Sequence, residues 1–209
     1  MPKEIPLFSG TEMEKVEQCI KWVKRNIQST RWSDEKIERY LSKRTPKQII
    51  DSGQVFYLRS CLDRTLVLIE TLKRNGFQPT MVAELFELKG VKAPHFAIEL
   101  NVEKQAYCAQ FFNPDMATIS PGKYKGFRLL KKQVKSIATH RIPGKNFSKD
   151  KTIFEAIKGT TAEKDAKYVS VKALIKKMKK ENSLRRFMRF RMLSAAASIP
   201  KLGRKTRRL

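Results

Sequence analysis

The sequence predicts an α+β fold with a basic helical extension at its C-terminal end. Three observations carry this. Apolar residues recur at helical spacing through the first 75 residues, alternate at period two after Pro79, and return to helical spacing among dense Lys and Arg from about Thr160. Helices followed by an antiparallel sheet make an α+β domain. Its central helix, which carries Cys61, is expected to pack on a small antiparallel sheet.

Thr11-Glu12-Met13-Glu14 is a capping-box pattern, and it opens a run with Val16, Cys19, Ile20, Val23 and Ile27 on one face. Ser33-Asp34-Glu35 starts a second helix, with Ile37, Tyr40 and Leu41 inside. Thr45-Pro46 reads as N-cap and first residue of a short third helix that Asp51-Ser52-Gly53 ends. The fourth runs from about Ser60 to Arg74, with Leu62, Leu66, Ile69 and Leu72 apolar and Asn75-Gly76 as its stop. A strand is predicted over Thr80–Leu88. In the next, Phe96, Ile98, Leu100 and Val102 alternate with His95, Ala97, Glu99 and Asn101, the pattern of a half-buried strand. Glu103-Lys104-Gln105 reads as a turn, and Ala106–Phe112 as the returning strand, stopped by Asn113-Pro114-Asp115. In the tail, Val171, Leu174, Ile175 and Met178 share one helical face, and Leu184, Phe187, Met188 and Arg191 start another.

The 209 residues suffice for a core without disulfide staples. The net charge is +25, from 45 Lys and Arg against 20 Asp and Glu. Residues 171–209 alone hold seven Lys and seven Arg against the single acid Glu181, a net +13 and slightly over half of the total. The charge divides the chain into a domain over 1–140, a connecting segment over 141–170 and a basic helical tail over 171–209, whose last residues, 201–209, read as a free end. Three widely spaced cysteines exclude a disulfide scaffold and a four-cysteine zinc site. No apolar run reaches the length of a membrane span, and the start carries no segment of signal-peptide length. The expectation is a cytoplasmic protein.

The chain has two histidines, so a histidine-dependent site has few ways to form. His95 begins a strand and points to the face opposite Phe96, Ile98 and Leu100. Cys61 opens the long helix, where unpaired N–H groups and the positive end of the helix favour a thiolate. Asn113 ends the strand after the one carrying His95. A thiolate, an imidazole and an orienting amide are the parts that cysteine acyl transfer requires. Cys19 and Cys108 read as core residues and His140 as a surface residue.

Three segments, Thr45-Pro46-Lys47-Gln48-Ile49-Ile50-Asp51-Ser52-Gly53, Ser60-Cys61-Leu62-Asp63-Arg64 and Leu72-Lys73-Arg74-Asn75-Gly76-Phe77, together resemble the core of the transglutaminase-like superfamily, whose fold is papain-like. The later landmarks are also similar: a strand opening with His, here His95-Phe96-Ala97-Ile98-Glu99-Leu100, and an aromatic-rich strand running into an acid-Pro pair, here Asn113-Pro114. His95 lies 34 residues after Cys61, and Asn113 lies 18 after His95. The resemblance spans about residues 10–116. It implies Cys61 as nucleophile, His95 as base and Asn113 as the residue that orients the ring. The family usually has Asp at that last position, and Asp115 is the second candidate for it. Gln54, seven residues before Cys61, falls near where a papain-like oxyanion donor stands.

Cys61-Leu62-Asp63-Arg64-Thr65 also copies the end of a phosphoinositide phosphatase signature, but that chemistry needs Cys six positions before the Arg, where this chain has Leu58. Walker, GxGxxG and HExxH motifs are missing, and no metal or cofactor is expected, since a cysteine nucleophile needs none.

The tail reads as a solvated basic extension, as a nucleic-acid binder or as an amphipathic helix on an anionic membrane through Phe187, Met188, Phe190, Met192 and Leu193. Nucleic acid is favoured, because Arg204-Lys205-Thr206-Arg207-Arg208 lacks an apolar anchor. The residues expected to meet the polyanion are Lys176, Lys177, Lys179, Lys180, Arg185, Arg186, Arg189, Arg191, Arg204, Lys205, Arg207 and Arg208. The functional expectation is a transglutaminase-like cysteine hydrolase or acyltransferase acting on peptide or amide bonds. The alternative is the same fold without catalysis, bound to nucleic acid or the ribosome through its tail.

Overall fold

A computed structural model describes residues 4–57, 60–88, 91–113, 116–129 and 132–166, together with Arg207–Arg208. The N-terminal part holds α1 (Glu12–Asn26), β1 (Gln28–Thr30), α2 (Asp34–Tyr40), α3 (Pro46–Ser52), β2 (Gln54–Phe56) and α4 (Ser60–Arg74). The helix starts are where local chemistry puts them. Thr11 and Glu14 close a reciprocal capping box on α1, Ser33 accepts from Lys36 N–H on α2, and Thr45 and Gln48 close a second box on α3. Gly53 ends α3 at φ 62°, a left-handed cap that costs glycine little. It leads directly into β2, which pairs in parallel with β1.

α4 is the centre of the molecule. Its residues from Ser60 to Ile69, and then Thr71 and Leu72, are all buried. A helix buried all round must be covered on several sides. α1 covers it with Val16, Cys19, Ile20 and Val23, and α3 with Ile49 and Ile50. The sheet covers it with Phe96, Ile98, Leu100, Ala109 and Phe111.

That sheet is built from β3 (Thr80–Leu88), β4 (Val91–Val102), β5 (Gln105–Asn113), β6 (Met116–Pro121) and β9 (Lys135–Pro143), all antiparallel, in the order β6-β5-β4-β3-β9. A short hairpin of β7 (Arg128–Leu129) and β8 (Lys132–Gln133) interrupts the chain between β6 and β9. The β4–β5 turn is a two-residue one, with Glu103 at φ 50° and Lys104 at φ 65°, the geometry that follows the twist of the strands.

β4 is covered on both faces and is not the half-buried strand its alternation predicts. Phe96, Ile98, Leu100 and Val102 face α4, while His95 and Ala97, on the other face, are 0% and 1% exposed. The cover on that second face is the chain after β6, which lays Tyr124, Phe127 and Val134 over Val82, Phe86, Ala97 and Cys108.

Residues 141–166 contribute to the same core. Ile142 and Phe147 are buried there, as are Ile153, Ala156 and Ile157 of α5 (Ile153–Ile157) and Ala162 of the turn after it. At the far edge β10 (Arg207–Arg208) pairs with Ile119 and Thr118 of β6, so these two arginines are backbone partners of the sheet and not part of a free end. The predicted tail helices, and Lys176, Lys177, Lys179, Lys180, Arg185, Arg186, Arg189, Arg191, Arg204 and Lys205, lie outside the described residues. Among the described residues no helix is long and apolar enough to cross a membrane.

Candidate active site

Cys61 is the second residue of α4 and is 7% exposed. The turn that carries it is held by two buried cations. Arg44 Nη2 donates to Asp63 Oδ2 at 2.6 Å, while its Nη1 donates to Gln54 O and Ser52 Oγ. Arg64 Nη2 donates to Ile27 O at 2.8 Å, and its guanidinium lies 5.9 Å from the Phe111 ring. The Cys61-Leu62-Asp63-Arg64 segment is therefore a structural knot. Its acid and its base tie the start of α4 to the α3–β2 turn and to the end of α1.

His95 stands on β4 directly opposite Glu84 of β3, on the sheet face that looks away from α4. Its Nε2 is 3.1 Å from Gln110 Oε1 on β5. An amide oxygen accepts, so this contact is a hydrogen bond when Nε2 carries the hydrogen. Phe127 sits 4.6 Å from the ring centre, Phe112 5.7 Å and Tyr124 6.1 Å. Gln110 is the partner that sequence reasoning missed. The signal was its period-two relation to Cys108 and Phe112, which puts all three on the His95 face.

Tyr124 ties His95 to two carboxylates of the sheet. Its hydroxyl donates to Glu84 Oε2, its ring lies beside His95, and its N–H donates to Glu99 Oε1 at 2.9 Å. Burial holds the phenol far above its usual pKa, and the hydrogen bond to Glu84 and the charges of Glu84, Cys108 and Cys61 push it further the same way. Cys61 belongs to α4, which packs on the opposite face of the sheet from His95. Burial works to raise the pKa of Glu99. The hydrogen bonds from Arg141 (3.0 and 2.9 Å) and from Tyr124 N–H outweigh it, and the carboxyl stays below the usual range.

Other candidates stand elsewhere. Asn113 closes β5 and pairs with Met116, with its side chain outside the described residues, as is Asp115 altogether. Gln54 is exposed in β2, where its Oε1 accepts from Lys36 Nζ at 3.1 Å. His140, expected at the surface, is only partly exposed. Nε2 lies 2.8 Å from Asp165 Oδ2 and Nδ1 3.1 Å from Thr161 Oγ1, because the chain after α5 folds back over β9. Cys19 and Cys108 are core residues whose burial pushes each thiol up to about 12. Among the described residues no cluster of His, Cys, Asp or Glu is arranged to hold a metal ion.

No protein-family model, curated protein or solved structure matches this chain.

Proposed function

We propose that the protein is a transglutaminase-like cysteine hydrolase or acyltransferase that acts on peptide or amide bonds through Cys61. In this reading the Cys61 sulfur attacks the substrate carbonyl while a base takes the thiol proton, a role the resemblance gives to His95, which stands on the sheet face away from α4. The C–N bond breaks, the base returns that proton to the leaving amine, and a thioester remains on Cys61. Water or a second amine then attacks the thioester and frees the thiol. Gln110, through Nε2 of His95, supplies the orienting contact that the resemblance assigns to Asn113.

The observation that supports this reading is the position of Cys61 in the first turn of α4, at the helix end whose N–H groups have no intrahelical partner. The test is thiol alkylation of the folded chain at neutral pH, read residue by residue. Cys61 is expected to react far faster than Cys19 or Cys108, and His95→Ala to slow it markedly. Equal rates for the three thiols, or indifference to His95→Ala, would remove the chemical basis of the proposal.

The complete burial of His95 favours a second reading, in which the same fold performs no catalysis and the basic tail binds nucleic acid. It predicts an unreactive Cys61 together with salt-dependent binding of RNA or DNA.

A further inference from the structure

His95 is 0% exposed, and beside Phe112 of β5 its ring is covered by one stretch of chain, Gly122–Phe127. This stretch is neither helix nor strand. It begins and nearly ends on glycines in the left-handed region, Gly122 at φ 90° and Gly126 at φ 93°. Between and beside them Tyr124 and Phe127 plug the sheet face, both within 6.1 Å of the His95 ring centre.

The stretch is fastened to the sheet by two carboxylates. Glu84 Oε2 accepts from the Tyr124 hydroxyl and, at 2.8 Å, from Phe127 N–H. Glu99 Oε1 accepts from Tyr124 N–H. Its outer ends are pinned by backbone bonds, Gly122 N–H to Ala106 O at 2.7 Å and Val134 N–H to Phe127 O at 3.3 Å. Both bonds to Glu84 fall on one oxygen, and among the described residues Oε1 of the same buried carboxylate has no hydrogen-bond partner. A half-satisfied buried carboxylate holds the closed arrangement at a cost in solvation.

We propose that Gly122–Phe127 is a hinged strap latched by Glu84, and that its release is what exposes His95. The strap moves about its two glycines, while α4 and the sheet stay in place. The role of this gate in catalysis rests on the reading of Cys61 and His95 given above; the latch itself does not.

The experiment measures acylation of His95 by diethyl pyrocarbonate in the full chain, by peptide mass spectrometry, with His140 as reference and Cys19 alkylation as the monitor of the core. Tyr124→Phe removes one hydrogen bond to a carboxylate and is expected to speed His95 modification about tenfold or more. Phe127→Ala removes the ring nearest the imidazole and is expected to act in the same direction. Cys19 stays protected in both. Unchanged His95 rates in both variants overturn the latch. So does a parallel rise at His95 and Cys19, because the strap would then open only with the whole domain. Neither result bears on Cys61 alkylation, so failure of the strap and failure of the acyl-transfer reading are told apart.

Discussion

Arg44 and Asp63 form a salt bridge of 2.6 Å with 7% and 2% of their side chains exposed. The guanidinium also lies 4.7 Å from the Trp32 ring. Arg44 thereby links the first turn of α4 to β2 and to the small cluster of Trp32, Ile37, Leu41 and Phe56. Breaking a buried pair by removing one partner leaves an uncompensated charge out of water.

Asp63→Ala is expected to cost about 3–5 kcal/mol of unfolding free energy, because Arg44 loses its counter-ion while remaining buried. Asp63→Ala with Arg44→Met should recover much of that loss. Denaturant titration of the single and double variants checks it. Losses that simply add would show that the two side chains are not energetically coupled.

Stability should fall on the alkaline side. Cys19 and Cys108 are raised from the ordinary 9.0 to about 12 in the folded state by burial. Below pH 9 both states keep the proton. Above it the unfolded chain loses protons that the folded chain retains, so stability declines until the folded thiols ionise near 12. Each thiol contributes a slope of at most about 1.4 kcal/mol per pH unit. Cys19→Ala should lose its share of this slope, measured by urea unfolding at successive pH values.

Gly144 is buried against Pro79, whose carbonyl accepts the Gly144 N–H at 2.8 Å. A Cβ at this position would run into Pro79 O. Gly144→Ala is therefore expected to destabilise by about 1–3 kcal/mol through overpacking against backbone that has no rotamer to yield. An unchanged denaturation midpoint would contradict the close approach.

The tail charge gives a prediction about salt. If Lys176, Lys177, Lys179 and Lys180 each neutralise a phosphate, replacing all four by Gln should flatten the plot of log affinity against log salt by up to about 3–4 on duplex DNA. Binding isotherms at several salt concentrations read this directly. A slope that does not move would take these lysines out of the interface.

Much of the fold was legible because its signals are local. Thr11, Ser33 and Thr45 cap helices through backbone N–H groups three residues away, and period-two alternation marks β4 without reference to the rest of the chain. The position of Cys61 at the start of α4, and of His95 on the face opposite Phe96, follows from the same two periodicities.

What covers each face followed from no local pattern. β1 and β2 are three residues each and exist because the ends of α1 and α3 arrive side by side. Gln110 meets His95 through the β4–β5 register, which the turn at Glu103-Lys104 sets. Residues 141–166 enter the core, and Tyr124 and Phe127 close over His95, only because the chain returns to the sheet after leaving it at β6. Composition and spacing alone thus determined helices α1 to α4, strands β3 to β5 and the places of Cys61 and His95 on them. Tertiary structure decided their burial and their partners, since a hydrogen bond or an apolar contact between distant residues forms only when the intervening chain brings them to the same place.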